Sequence, residues 1–200
     1  MRKISVLCCV VVSLFCFVLT WGHDIPPQPD MKQTVLVRPT ENNTRSCTGT
    51  VVSPGLLLTA THCLGEGATA VFAELLTSSY RKLTPQVVVG DFAMMSFEPM
   101  DNDKWTEIRV NLLSNPPPTG ASLWAVGLVD IEDKYMAIAS FGISLGQRVK
   151  FRGVFYEITS IPVVKGMSGG PVYYKGEIVG VYAIGLTSEV SPWAGFASPK

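Results

Sequence analysis

The feature that most constrains this chain is a serine set among glycines at residues 165–172, Lys-Gly-Met-Ser-Gly-Gly-Pro-Val. Glycine adopts backbone conformations that other residues avoid, and it lets a second chain approach the main chain closely. A serine oxygen attacks a carbonyl only when a base takes its proton and when N–H groups stabilise the oxyanion that forms. A tight turn at Ser168 can supply the N–H groups, so the base has to come from elsewhere in the chain.

Few groups can serve as that base, because the chain has two histidines. His23 stands in a proline-rich lead-in, and we interpret it as a solvated end. His62 ends an apolar stretch, residues 57–61, and is the candidate base. A carboxylate that accepts the Nδ1 hydrogen of a histidine would orient it.

Asp91 is the candidate for this carboxylate. It lies between the apolar runs 87–89 and 92–95, where a charge needs a partner. Asp101 and Asp103 compete for the role, as does Asp130. The segment that holds the first two is polar, and its composition is typical of a solvated loop.

Two motifs, Thr59-Ala60-Thr61-His62-Cys63 and Gly166-Met167-Ser168-Gly169-Gly170-Pro171, resemble the histidine and serine motifs of trypsin-like (chymotrypsin-fold) serine proteases. Asp91-Phe92-Ala93-Met94 is similar to the aspartate motif of that family. The chain is short and resembles the compact bacterial, viral and HtrA-like protease domains. The resemblance covers most of the chain from residue 33 onward. It implies two packed six-stranded antiparallel β-barrels with the active site in the cleft between them.

The resemblance also implies a role for each matching residue. His62 is the general base, Asp91 fixes its tautomer, and Ser168 is the nucleophile that forms an acyl-enzyme. The backbone N–H groups of Gly166 and Ser168 form the oxyanion hole. The predicted activity is therefore that of a serine endopeptidase acting on a polypeptide substrate.

The family's spacing predicts the substrate-binding residues. Pro162 lies near the base of the S1 pocket, and Ala183, Ile184 and Gly185 line one wall and pair with the substrate backbone. No acidic residue is visible at the pocket base, so we expect cleavage after small or apolar residues. Met167 stands where digestive and clotting members have an aspartate that pairs with a newly cut N-terminus. We therefore expect no zymogen activation of that kind.

The order of these residues along the chain excludes two other serine-hydrolase folds. An α/β-hydrolase needs a histidine after the serine, and none follows Ser168. The subtilisin order needs an aspartate before His62, where only Asp24 and Asp30 of the lead-in qualify. Two non-enzymatic alternatives stay open: a catalytically inactive, protease-like secreted binding protein, and a structural or capsid-associated β-protein.

The N-terminus is typical of a targeting segment. Arg2 and Lys3 precede an apolar run, and small residues fit a cut after Gly22. We predict that residues 1–22 are a signal peptide, with a membrane anchor as the alternative. The globular part is then secreted or periplasmic, or tethered outside the membrane.

The cysteines and one asparagine fit export. Cys47 and Cys63 are the cysteines that remain outside the leader, and disulfides form in oxidising compartments. The resemblance implies that they pair and brace the histidine loop. Asn42 begins an Asn-Asn-Thr glycosylation acceptor that would be used in a eukaryotic cell.

Composition completes the prediction of an all-β fold. Short β-branched stretches alternate with turns rich in glycine and proline, including separate strands over residues 135–144 and 147–151. The formal net charge is zero and no basic cluster is present, so we expect no nucleic-acid partner. We also expect a monomer that uses no cofactor and no metal. The predicted units, in chain order, are the lead-in 23–32, the first barrel 33–115, the linker 116–120 and the second barrel 121–200.

Overall fold

A computed structural model describes residues 27–40, 46–66, 69–74, 80–112, 116–131, 134–162, 164–185 and 194–198. The predicted leader, residues 1–22, and the glycosylation acceptor at Asn42 lie outside these ranges. Within them, we find no helix with the length and apolar character that crossing a bilayer requires.

The described residues form strands almost throughout, as expected from short runs of β-branched and aromatic residues between turns. A single-turn 3₁₀ helix, Thr61–Cys63, follows the third strand. The strands are β1 Thr34–Pro39, β2 Cys47–Ser53, β3 Leu56–Ala60, β4 Ala70–Glu74, β5 Arg81–Val89, β6 Phe92–Ser96, β7 Ser122–Ile131, β8 Lys134–Phe151, β9 Val154–Thr159, β10 Pro171–Tyr174, β11 Glu177–Gly185 and β12 Ala194–Ala197.

These strands close into two six-stranded antiparallel barrels, which confirms the predicted fold class. The first barrel has the order β1-β2-β3-β6-β5-β4, and the second has the order β7-β8-β9-β12-β11-β10. The two orders correspond strand for strand, although the sequence shows no repeat. Residues 97–112 and 116–121 lie between β6 and β7, and the second of these ranges contains the predicted linker, 116–120.

Two local expectations were wrong. The strands predicted over 135–144 and 147–151 are one long strand, β8, whose pairing with β9 shifts register between Ser144 and Arg148. Gly146 lies inside that shift with a φ of 64°, so the glycine marks a bulge rather than a turn.

The second wrong expectation concerns Asp103, whose side chain is buried rather than solvated. It is 6% exposed, and both carboxylate oxygens accept hydrogen bonds from the Arg81 guanidinium at 2.6 Å. The Arg81 hydrogen bonds lower the pKa of Asp103 from its ordinary value. Asp103 is therefore committed to an ion pair with β5 and does not compete for the histidine.

The hydrophobic core joins the two barrels at their interface. The core of the first barrel, around Leu57, Phe72 and Phe92, continues into Tyr156 and Val181 of the second. A separate cluster fills the second barrel. Because burial of continuous apolar surface holds the barrels together, strand ends from both barrels meet at fixed positions.

Candidate active site

The histidine lies where β3 ends and the 3₁₀ turn begins. Cys63, the next residue, forms a disulfide with Cys47 of β2, with Cα atoms 5.9 Å apart, and the predicted bond is thereby confirmed. A loop of about this length stabilises the fold by about 3 kcal/mol in the chain-entropy model. The His62 side chain is 42% exposed, so it is anchored at its backbone and open to the cleft.

Asp91 lies in the turn between β5 and β6 and contacts His62. Its Oδ1 accepts a hydrogen bond from His62 N at 2.9 Å, and its Oδ2 lies 2.9 Å from His62 Nδ1. An ionised carboxylate only accepts hydrogen bonds, so the proton of a neutral His62 is on Nδ1. Nε2 then keeps its lone pair for a proton taken from elsewhere.

Ser168 lies on the loop between β9 and β10, and the backbone amides of this loop divide into two groups. The N–H groups of Met167, Gly169 and Gly170 donate to main-chain carbonyls at 2.6 to 3.3 Å. Those of Gly166 and Ser168 donate to no acceptor among the residues that the structure describes. The two unused donors are the pair that the resemblance assigns to an oxyanion hole.

The serine loop is held by the first barrel. Thr48 N donates to Ser168 O at 2.7 Å, and Thr48 Oγ1 donates to Gly166 O at 2.7 Å. Gly169 has a φ of 84°, and a Cβ on it would lie 2.2 Å from Thr48 O and 3.0 Å from Ala60 N. Glycine at this position lets the loop contact β2 and the end of β3 directly.

The structure thus joins His62 and Asp91 by hydrogen bonds. It also brings the Ser168 loop against the end of β3, the strand that precedes His62. Within the described ranges, no hydrogen bond joins Ser168 to His62. Catalytic hydrogen bonds are often long or misaligned before substrate binds.

The predicted substrate-binding residues lie beside this loop. Pro162 is exposed, and its carbonyl accepts a hydrogen bond from the Tyr182 hydroxyl at 3.1 Å. Ala183, Ile184 and Gly185 form the end of β11, which pairs with β12. Tyr182 therefore ties the Pro162 segment to the strand that the resemblance assigns to substrate pairing.

Two residues at the site were missed from the sequence. Thr48 anchors the serine loop, and its only sequence signal is a polar residue directly after Cys47. Tyr156 of β9 donates its hydroxyl to Asp91 Oδ2 at 3.2 Å. Burial, together with the nearby Asp91 charge, raises the pKa of Tyr156 far above its usual value, so it stays a neutral donor. No local motif marks this tyrosine, because the contact exists only once the barrels pack.

One group of metal-ligating residue types also lies here. Atoms of Cys47, His62 and Cys63 lie within 4.8 Å of one another. The two sulfurs are bonded to each other, and metals bind the thiolate. In the disulfide form, His62 alone keeps a free ligand atom in this group.

Comparison with known proteins agrees with this geometry. A family model for the trypsin-like peptidase domain matches residues 47–181, a span that holds His62, Asp91 and Ser168. No curated protein matches the chain by sequence.

Solved structures with a similar fold are proteases of low sequence identity. The MamO protease domain from Magnetospirillum magneticum is 15% identical with a TM-score of 0.64, covering 88% of this chain and 94% of that one. The active form of the Rv3671c protease from M. tuberculosis is 16% identical with a TM-score of 0.62, covering 87% and 85%. The serine endoprotease from Yersinia pestis is 20% identical with a TM-score of 0.60, covering 84% of this chain and 58% of that one. At these identities the similarity concerns the fold.

Proposed function

The chain belongs to the trypsin-like peptidase family and is a serine endopeptidase of that fold, and we propose that it cleaves peptide bonds through Ser168, His62 and Asp91. The observation that carries the proposal is the 2.9 Å contact between His62 Nδ1 and Asp91 Oδ2. It leaves Nε2 of a neutral His62 without a proton and able to act as the base.

In the proposed mechanism, Ser168 Oγ attacks the substrate carbonyl while His62 Nε2 takes its proton. The unused N–H groups of Gly166 and Ser168 stabilise the oxyanion, and one such donor contributes about 3 kcal/mol. Asp91 stabilises the imidazolium. His62 then gives the proton to the leaving amine, the C–N bond breaks, and an acyl-enzyme remains on Ser168. Water, deprotonated by His62, hydrolyses the ester and restores the serine.

We propose that cleavage follows small or apolar residues. Pro162, Tyr182 and Ala183 carry no charge, and the side chain of Ala183 is small and buried. An uncharged surface of this kind offers nothing to a buried arginine or lysine, whose charge would stay unpaired.

The proposed enzyme is not activated by an ion pair with a newly cut N-terminus. Met167 is fully buried, and a Cβ on Gly127 would lie 2.7 Å from its Cα. An apolar side chain packed this tightly cannot pair with a new N-terminal ammonium. The protein should therefore be active without a cut at an internal activation site.

Export fits the disulfide, because such bonds persist in oxidising compartments. We propose a secreted or periplasmic, monomeric enzyme whose leader ends at Gly22. Sequencing the N-terminus of the mature protein should give His23 as the first residue. A mature N-terminus at Met1 would instead favour the tethered form.

The test is covalent labelling with a fluorophosphonate, which reacts with activated serines. We expect one adduct, located at Ser168 by mass spectrometry, that is lost in Ser168→Ala and His62→Ala. Protein that reacts with the probe should cleave a peptide library after Ala, Val, Leu or Phe in preference to Arg or Lys. The reverse preference would contradict the proposed specificity. If a folded protein with an intact disulfide gives no adduct, the chain is a protease-like binding protein instead.

A further inference from the structure

Asp91 accepts hydrogen bonds from both barrels. His62 N and Nδ1 approach it from the first barrel, and the Tyr156 hydroxyl approaches it from β9 of the second. The tyrosine is 4% exposed and the aspartate 6% exposed, so the contact is shielded from water. Oδ2 is shared, at 2.9 Å from Nδ1 and 3.2 Å from the phenol oxygen.

This arrangement settles which way the carboxylate faces. A buried carboxylate with donors on one side only can rotate about its Cβ–Cγ bond, and the histidine then loses its partner. A third donor, which comes from the second barrel and reaches the Oδ2 that His62 Nδ1 also contacts, opposes that rotation. Hydrogen bonds to a charged group are also stronger than neutral ones.

We propose that Tyr156 is a positioning residue that holds the Asp91 carboxylate in the orientation that His62 needs. This inference rests on the proposed function, because it assigns Tyr156 an effect on the same Ser168 chemistry. Tyr156 touches neither substrate nor serine, and it acts through Asp91 alone.

The charged surroundings favour a constant neutral donor. The groups that face the tyrosine hydroxyl are Asp91, and at longer range Arg152 on the β8–β9 turn. Because burial and the Asp91 charge raise the pKa of Tyr156, the phenol stays protonated throughout the pH range of the labelling experiment. A change in the pH profile after substitution of Tyr156 therefore reports on His62 and Asp91.

The experiment measures the rate of fluorophosphonate labelling of Ser168 against pH in Tyr156→Phe. We expect the rate to fall about 10- to 100-fold, which corresponds to loss of one hydrogen bond to a charged group. The midpoint of the acid side of the profile should move to higher pH. A carboxylate that has lost a donor attracts the imidazolium more strongly, so a higher pH is needed to free Nε2. Tyr173→Phe removes a hydroxyl from another buried tyrosine of the second barrel, 6% exposed, and should leave rate and midpoint unchanged.

A second variant separates positioning from folding. A fluorinated tyrosine at 156 keeps the ring and the hydroxyl but makes the hydroxyl a stronger donor, so the midpoint should move to lower pH. A purely structural role predicts a lower melting temperature with an unmoved midpoint in both variants, and that result would overturn the inference. If the wild-type protein reacts with the probe but the midpoints of both Tyr156 variants equal that of wild type, this inference alone is rejected. Wild-type protein that does not react rejects the proposed function and this inference together.

Discussion

The two barrels share one strand order but hold their parts of the site by different means. The first barrel places His62 and Asp91 at the ends of hydrogen-bonded strands and closes the histidine turn with a disulfide. The second places Ser168 on a loop between β9 and β10, and its sequence from residue 121 onward contains no cysteine. The histidine and aspartate are thus held by a disulfide and by strand ends, whereas the serine lies on a glycine-rich loop.

The difference shows where the serine loop gets its rigidity. Thr48 of β2 in the first barrel donates to the carbonyls of Gly166 and Ser168, and Tyr182 of β11 exchanges backbone hydrogen bonds with Gly169 and Gly170. In the opposite direction, Tyr156 of the second barrel supports Asp91 of the first. Each barrel thus fixes the functional segment of the other, so the site should form only when the barrels are packed.

Asp103→Ala should show the largest effect, because it breaks the buried ion pair of the first barrel. The Arg81 side chain is 12% exposed, and removal of one partner from a buried pair costs about 3–5 kcal/mol. We expect a loss of about 4 kcal/mol in the free energy of unfolding, measured by denaturant titration at pH 7. The ion pair of the second barrel is the control: Glu157→Ala leaves Arg148, whose side chain is 34% exposed and can be solvated, so this variant should cost less.

The stability that the Asp103 ion pair contributes should depend on pH. Because the pKa of Asp103 is lowered in the folded state, its stabilisation is present above the ordinary value of 3.8 and is lost as the pH falls through the lowered pKa. The difference between wild type and Asp103→Ala should therefore shrink below that pH. A difference that stays constant between pH 7 and pH 3 would show that lost packing, not charge, causes it.

Gly169→Ala should have the next largest effect and tests the contact between the barrels. The new Cβ would lie 2.2 Å from Thr48 O, at a φ of 84° that an alanine rarely adopts. Overpacking and a left-handed alanine together cost about 3 kcal/mol, and the displaced loop should abolish labelling of Ser168. Gly176→Ala is the matched control, with a φ of 81° and nothing within 4 Å of its Cβ. Gly176→Ala should lose only the stability that a left-handed alanine costs, and Ser168 should be labelled at the wild-type rate. Equal losses of stability in both variants would show that the Thr48 contact is unimportant.

The sequence predicted the parts of this molecule that depend on neighbours in the chain. Short β-branched runs between glycine and proline turns predicted an all-β fold, and the local motifs around His62 and Ser168 carry the family resemblance that implied two barrels. The pairing of Cys47 with Cys63 followed from the same resemblance. Because these motifs consist of residues that are adjacent in the chain, a single sequence is enough to recognise them.

The missed features depend on residues far apart in the chain. The polar neighbours of Asp103 predict a solvated loop, but its side chain is buried against Arg81 of β5. Tyr156 sits in an ordinary strand, and its contact with Asp91 spans 65 residues. The continuity of β8 through Gly146 was also missed, since a glycine marks a bulge as readily as a turn. Packing between distant strands decides all three.

The smallest predicted effect comes from Thr48→Val and tests whether the first barrel positions the serine loop. The substitution removes the hydrogen bond to Gly166 O and leaves Leu128 N, which donates to Thr48 Oγ1 at 2.8 Å, without that acceptor. We expect a loss of about 1–2 kcal/mol in the free energy of unfolding. Because Gly166 carries one of the two unused N–H groups, labelling of Ser168 should slow on the order of tenfold.

Thr50→Val supplies the control for that experiment within the same strand. Thr50 is 1% exposed, and its hydroxyl has no hydrogen-bond partner among the described residues. Removal of an unsatisfied buried hydroxyl should leave stability unchanged or raise it, with labelling at the wild-type rate. If both threonine variants label at the same rate, the Thr48 hydroxyl does not position the serine loop, and the backbone hydrogen bond from Thr48 N to Ser168 O is sufficient. A selective loss in Thr48→Val would show instead that the loop of one barrel takes its geometry from a strand of the other.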